Sequence, residues 1–227
     1  MEGSYLCRYD STLMDNRLYE RNFLIHRDFY PHVKEFASTA DGDVLDIGCG
    51  QRRFSDWFSG CNYVGLDFDP KFGDPDVIGD GLKLPFQSNS FDYCVSTQVL
   101  EHLKNPFEFF TEIERVLKPG GTCCVTTNQM YPLHMEPHDY FRFTQYGLRE
   151  VISDTKLEVV DDFQAGSLAT RVCSELNYIT DAALPSPLSS LGIAALNTAC
   201  YPFRNIEFRR DPVLVGAIAK LPREMHQ

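Results

Sequence analysis

Val44-Leu45-Asp46-Ile47-Gly48-Cys49-Gly50-Gln51 runs from an apolar stretch through one acidic residue into a turn with two spaced glycines. Glycine admits positive φ and lets a ligand approach the backbone. Open α/β sheets bind ligands at the carboxyl end of such a strand. A lone G-x-G pair also suits any tight strand-to-helix turn. About 20 residues further on, Gly65-Leu66-Asp67-Phe68-Asp69 ends a second apolar stretch in acids, where a carboxylate can accept from two vicinal ribose hydroxyls. These signals fit a nucleoside ligand in general. A nicotinamide dinucleotide would call for a third glycine at position 53, where Arg53 stands. Asp69 precedes Pro70 and reads equally well as the start of a turn.

The elements that must position these residues follow from the hydrophobic pattern. Short apolar runs at 44–47, 63–66, 77–78, 93–96 and 122–127 alternate with an amphipathic stretch at 54–58 and a helix at 106–117. Strands alternating with helices imply βαβ units, right-handed crossovers and a parallel sheet covered on both faces. Residues 11–36 read as mostly helical, with Leu18, Phe23, Leu24, Val33 and Phe36 on apolar faces and Pro31 breaking or restarting the helix. Thr144 is suited to N-cap a helix reaching Ile152. Two late strands are expected at 157–160 and 212–219. Between them, 165–210 is rich in Ala, Leu and Ser and too long for a bare loop, so inserted helices are expected there. They would serve as extra core, as a dimer contact or as a lid.

The 227 residues suffice for one domain with an appendage, and 43% hydrophobic residues suit a globular chain. Lys and Arg number 21 against 32 Asp and Glu, a net charge of −11. Binding to duplex nucleic acid through phosphates needs the opposite balance, and the chain offers at most a local basic patch such as Arg209–Arg210. The eight cysteines include no C-x-x-C pair, which suits small buried hydrophobes in a reducing compartment rather than zinc ligands. No metal is expected. The opening residues MEGSYLCRYD read as neither a signal nor a transit peptide, and no apolar run reaches the ~18 residues of a membrane span. A cytoplasmic protein is expected.

Five ordered segments carry a family resemblance: DIGCG at 46–50, GLDFD at 65–69, GDGLKLPF with SFDYC at 79–94, QVLEHL at 98–103 and RVLKPGG at 115–121. Together they resemble the class I S-adenosylmethionine-dependent methyltransferases, most of all the methyltransferase type 11 group. The resemblance covers residues 43–127 and extends loosely through HDYFRFTQYGL at 138–148. It implies an α/β, Rossmann-like, doubly wound and mostly parallel seven-stranded sheet, with N-terminal helices and a helical insertion before the last strand. The chain is then one methyltransferase domain over 1–227: a helical cap at 1–40, a cofactor-binding core at 41–165, an insertion or lid at 166–210, and a last strand with tail at 211–227. S-adenosyl-L-methionine is the implied cofactor and S-adenosyl-L-homocysteine the product. Asp46, Gly48 and Gly50 would line the methionine end, with backbone groups of Cys49 and Gln51 nearby. Asp67 would hold the ribose hydroxyls and Phe68 would pack on the adenine. Asp80, Gly81 and Leu82 would form the adenine slot, with Gln98 and Leu100 under the methionine moiety. The sequence departs from D-x-G-x-G-x-G at Arg52, which would touch the cofactor carboxylate or face solvent.

Methyl transfer is an in-line displacement in which the protein mainly positions the nucleophile. A hydroxyl acceptor benefits from a base with a pKa near the working pH, and His fits that need. Residues 128–140 hold two of the six histidines, so His134 and His138 are the candidate bases. Asn128, Tyr131, Asp139 and Tyr140 are the candidate acceptor-binding residues, and Met130 and Met135 would shape an apolar pocket. Asp139, His138 and Arg142 could instead only pin the loop. The resemblance implies that the Glu101–His102 pair caps the following turn. Arg17, Tyr19 and Arg21 could close over the cofactor. Ser96-Thr97-Gln98-Val99 replaces the Asn/Asp-Pro-Pro-aromatic segment expected of a nucleic-acid base methylase. A small-molecule acceptor is therefore expected, and no nucleic-acid partner. A homodimer, N-methylation of an amine and a non-catalytic binding role stay open.

Overall fold

The structure is a computed structural model that describes residues 18–204 and 212–223. Its strands are β1 (Asp43–Ile47), β2 (Asn62–Asp67), β3 (Val77–Ile78), β4 (Phe91–Thr97), β5 (Leu117–Asn128), β6 (Glu158–Ala165) and β7 (Leu214–Lys220). They form one sheet in the order β3-β2-β1-β4-β5-β7-β6. Strands β1 to β5 are parallel, whereas β7 runs antiparallel to both β5 and β6. The fold is thus the expected Rossmann-like mixed sheet. The order reverses between β1 and β4, and this opens a crevice beyond their carboxyl ends.

Alternation along the central strands loads both faces. Leu45, Cys94, Cys123 and Val125 enter one core, while Val44, Val95 and Cys124 enter the other. The first core is closed by α2 (Pro106–Val116) and α3 (Gln145–Ser153). In α2 the side chain of Asn105 accepts from the Glu108 amide, Pro106 occupies the first turn, and Phe109, Ile113 and Val116 fall on the buried face. Thr144 caps α3 by accepting from the Gly147 amide, as its position in the sequence suggests.

The second core is covered by α1 (Phe23–Ser38), and here the expectation of a break fails. Pro31 lies inside an unbroken helix. The lost amide donor is outweighed by burial of Phe29, Val33 and Phe36 along one face. The stretch at 54–58 forms only a short 3-10 turn at Ser55–Phe58, because burying Phe54 and Phe58 needs no longer helix.

The long insertion folds as a hairpin of α4 (Leu168–Ala183) and α5 (Leu188–Cys200). It leaves the sheet at Ala165 and returns at Val213, whose amide donates to the Ala165 carbonyl at 3.0 Å. Asn197 ties the hairpin to the start of the described chain. Its Nδ2 donates to the carbonyls of Leu18 (2.6 Å) and Glu20 (2.9 Å), and its Oδ1 accepts from Asn177 (2.9 Å). Among the described residues, no helix is long and apolar enough to cross a membrane. Cys7, Arg17 and Arg209–Arg210 lie outside the described residues.

Candidate functional site

The loop after β1 is shaped by two glycines in the left-handed region, Gly48 at φ 75° and Gly50 at φ 50°. A Cβ on Gly48 would come within 2.2 Å of Val99 Cγ2, so this position also needs glycine for close packing of the β1 loop on the β4 loop. The amides of Gly48 and Cys49 both donate to the Leu66 carbonyl, at 2.8 and 3.0 Å. The amide of Cys49 is therefore spent inside the fold rather than offered to a ligand, and burial pushes its thiol up to about 12. The Gly50 amide donates to Asp67 Oδ2 at 2.9 Å and the Phe68 amide to Asp67 Oδ1 at 2.8 Å. Asp67 is thereby held at the tip of β2, with lone pairs remaining on both oxygens.

Asp46 is 1% exposed and accepts from the Tyr63 hydroxyl. Burial, reinforced by the charge of Asp67 and opposed by the Tyr63 bond, raises its carboxyl to about 7. The loop after β3 is joined to β2 by the Gly79 amide, which donates to the Asp67 carbonyl at 2.9 Å. In that loop Asp80 is exposed and accepts from the Leu82 amide, Gly81 is buried, and Leu82 is half-buried against the core. Phe68 is 58% exposed beside Phe72, so its face is open to a flat ring. Gln98 sits at the end of β4 with φ 58°, a strained value for this residue, and its Nε2 donates to Thr126 Oγ1 at 3.0 Å. Two expectations change here. Leu100 is fully buried in the core, where its side chain offers no surface to a ligand. Arg52 pairs with Asp76 at 2.5 Å and lies over Tyr63, so a cofactor carboxylate would compete with an existing ion pair.

The residues expected on the acceptor side lie beyond β4 and β5. Glu101 is fully buried, and its carboxylate accepts from Thr127 Oγ1 at 2.8 Å and Asn128 Nδ2 at 2.5 Å. The turn cap expected of Glu101–His102 is therefore not formed. Glu101 points into the fold, its carbonyl takes the amides of Tyr140 and Phe141, and His102 Nδ1 meets the His138 carbonyl at 2.6 Å. His134 is half-buried. Its Nδ1 meets the Pro132 carbonyl at 3.1 Å, its ring stands edge-on to His102 and Tyr131, and burial lowers its pKa.

Asp139 is used to pin the loop. Both its oxygens accept from Arg142 and one also accepts from the His134 amide; burial would raise its carboxyl, but these bonds hold it at about 2. Its oxygens are thus committed within the loop rather than presented to an acceptor. His138 is exposed with Nδ1 bonded to the Tyr140 hydroxyl, and Met135 is exposed as well. Tyr131 joins three segments: its hydroxyl accepts from Asn22 at 2.9 Å and bonds to Tyr178 of α4.

Tyr131 also lines a cavity of about 340 Å³ with Gln129, Met130, Pro132, Arg142, Arg171 and Glu175. Of the expected acceptor residues, Tyr131 and Met130 line this cavity and His134 packs edge-on against Tyr131, whereas Asn128 is buried against Glu101 and His138 and Tyr140 lie at the surface. Arg171, Glu175 and Tyr178 were not singled out from sequence, since a polar residue on a surface helix carries no signal until the helix is placed. Arg21 binds Asp181 and Tyr178, which puts it at the hairpin rather than over the glycine loop.

Residues 45–125 match the family described as a methyltransferase domain. An uncharacterized methyltransferase of Mycobacterium tuberculosis is 37% identical over 91 residues, which are 34% of this chain and 36% of that protein. One of Mycobacterium marinum is 35% identical over 97 residues, 37% of this chain and 38% of that protein. The match spans little more than a third of these relatives' own length. Among solved structures, a SAM dependent methyltransferase from Archaeoglobus fulgidus has a TM-score of 0.57 at 20% identity, covering 88% of this chain and 94% of that one. A geranyl diphosphate C-methyltransferase from Streptomyces coelicolor, solved with Mg2+, geranyl diphosphate and S-adenosyl-L-homocysteine, has a TM-score of 0.56 at 17% identity, covering 86% and 80%. Sheet order, glycine loop and the match over 45–125 together make this chain similar to the class I S-adenosylmethionine-dependent methyltransferases.

Proposed function

We propose that this protein transfers a methyl group from S-adenosylmethionine to a hydroxyl of a small-molecule acceptor. The observation that carries this reading is the pair Asp46 and Asp67, linked through the glycine loop at the point where the strand order reverses. The donor set fits the cofactor: a carboxylate with spare lone pairs suits a ribose diol, a buried carboxylate suits a nearby cation, and an open aromatic face suits adenine. Neighbouring folds named with bound S-adenosylhomocysteine support the same choice.

The cofactor supplies an electrophilic methyl on a sulfonium. The chain's own residues do the rest. Asp67 orients the ribose, Phe68 and the Asp80–Leu82 turn hold the base, and Gln98 lies beneath the methionine end. The cavity walled by Met130, Tyr131 and α4 receives the acceptor, and its volume suits a small molecule. His134 has Nδ1 committed to a carbonyl, which leaves the lone pair on Nε2, and its ring lies 5.0 Å from that of Tyr131, which lines the cavity. His134 is thus better placed than the exposed His138 to assist a hydroxyl. The α4–α5 hairpin acts as a wall of the acceptor site within a single domain.

Calorimetry with S-adenosylmethionine tests the proposal. Asp67→Ala is expected to weaken binding at least about tenfold, the loss of one charge-assisted hydrogen-bond set. Absence of binding to the native chain would sink the enzyme reading.

A further inference from the structure

Glu101, His102 and His134 each offer one ligand atom, and these atoms lie within 4.8 Å of one another. The histidines are far apart in sequence and reach the cluster from the β4 end and the loop after β5. Their rings are not free to turn. His102 Nδ1 is held by the His138 carbonyl at 2.6 Å and His134 Nδ1 by the Pro132 carbonyl at 3.1 Å. A backbone carbonyl can only accept, so each Nδ1 carries the proton and each Nε2 keeps a lone pair. Outer partners of this kind commonly fix the tautomer of metal-binding histidines. Glu101 is held in turn by Thr127 and Asn128, each leaving its carboxylate oxygen a second lone pair. An independent observation points the same way. Asn128 Oδ1 is buried with no hydrogen-bond partner among the described residues, while its Nδ2 binds Glu101. A buried acceptor of this kind calls for a donor, and water on a bound ion would supply one.

We propose that Glu101, His102 and His134 bind a divalent transition-metal ion at which the acceptor hydroxyl docks. Two imidazoles and one carboxylate favour Mn2+, Co2+ or Zn2+ over the oxygen-loving Mg2+ and Ca2+. Three protein ligands leave positions open for an acceptor oxygen and water. The site adjoins the cavity through Tyr131, whose ring centroid lies 5.0 Å from that of His134. Coordination lowers the pKa of a bound hydroxyl. The hydroxyl proton leaves to solvent and the oxygen lone pair forms the O–C bond. The C–S bond breaks with its electron pair passing to sulfur. This role rests on the methyl-transfer reading, with the His134 Nε2 lone pair given to the ion instead of serving as the base; the binding of the ion does not rest on that reading.

The test uses the full chain, stripped of metal and titrated with Mn2+ and Co2+ by calorimetry and by Co2+ absorption. One ion per chain is expected, with Co2+ bands typical of mixed nitrogen and oxygen ligands. His102→Ala and His134→Ala should each weaken binding at least about tenfold, while S-adenosylhomocysteine binding, measured separately, stays within about twofold. Far-ultraviolet dichroism and melting separate a lost ligand from a lost fold, and the conservative Glu101→Gln gives a third reading. No ion bound by the native chain, or equal binding in both histidine variants, would overturn the site. Should S-adenosylhomocysteine fail to bind while the ion does, the methyl-transfer reading fails and the metal site stands. Full turnover after chelation, with loss of turnover in His134→Ala, would overturn the docking role and leave His134 as a simple base.

Discussion

Asp46 is a buried acid beside the proposed cofactor site. Its carboxyl titrates at about 7 in the folded chain against an ordinary 3.8, mainly because of burial. A raised folded pKa means that the folded state holds the proton more tightly than the unfolded one. The resulting stabilisation is complete below about pH 4 and is lost as pH climbs toward 7. About three pH units at about 1.4 kcal/mol each set a ceiling of about 4 kcal/mol. Asp46→Asn keeps an acceptor for Tyr63 and removes the titration. Urea melts should therefore show the variant gaining on the native chain between pH 4 and pH 7, with the difference level above that. A cationic ligand beside Asp46 favours the carboxylate, so cofactor binding near pH 6.5 should release a proton. Calorimetry in buffers of different ionisation enthalpy reads that release, and Asp46→Asn should abolish it. The turns that carry Asp46, Gly48 and Asp67 were legible in the sequence, because strand, turn and acid are contiguous signals. The role of Glu101 was not, as its carboxylate turns inward to Thr127 and Asn128. No local pattern announces a partner on another strand.

At the scale of elements, Asn197 shows how the insertion is held. It is fully buried and serves the carbonyls of Leu18 and Glu20 as well as Asn177. Asn197→Ala strips the Leu18 carbonyl of its side-chain donor, the Glu20 carbonyl of one of two donors and Asn177 of an acceptor, and should cost about 2–3 kcal/mol, seen as a fall of about 4–12 °C in the melting midpoint. The loss should appear as loosening of α4 and α5 in hydrogen exchange, with the β1 to β5 amides unchanged. The strands and α2 were legible because their apolar spacing is periodic and their caps are local. The unbroken passage of α1 through Pro31 was not. It depends on a sheet face that Phe29 and Val33 meet only after folding.

At the scale of the whole molecule, a net charge of −11 surrounds a site built on carboxylates. Such a field attracts a cationic ligand over long range and is screened by salt. S-adenosylmethionine carries a sulfonium that S-adenosylhomocysteine lacks. Association of the first should therefore slow severalfold between low and high salt, and that of the second much less. Stopped-flow fluorescence of Trp57, the chain's single tryptophan, can follow both. Equal salt dependence for the two ligands would contradict an electrostatic contribution to capture.

The insertion leaves β6 at Ala165 and rejoins β7 at Val213 through a single backbone rung, and Ala165 pairs with Leu214 in the same ladder. A segment that begins and ends on neighbouring backbone imposes no register on the sheet that carries it. The hairpin can be lengthened, shortened or replaced without moving the glycine loop or the ends of β1 and β4. One half of the molecule is thus fixed by the sheet and its glycine loop. The other is a cassette, free to diverge while that loop keeps its shape.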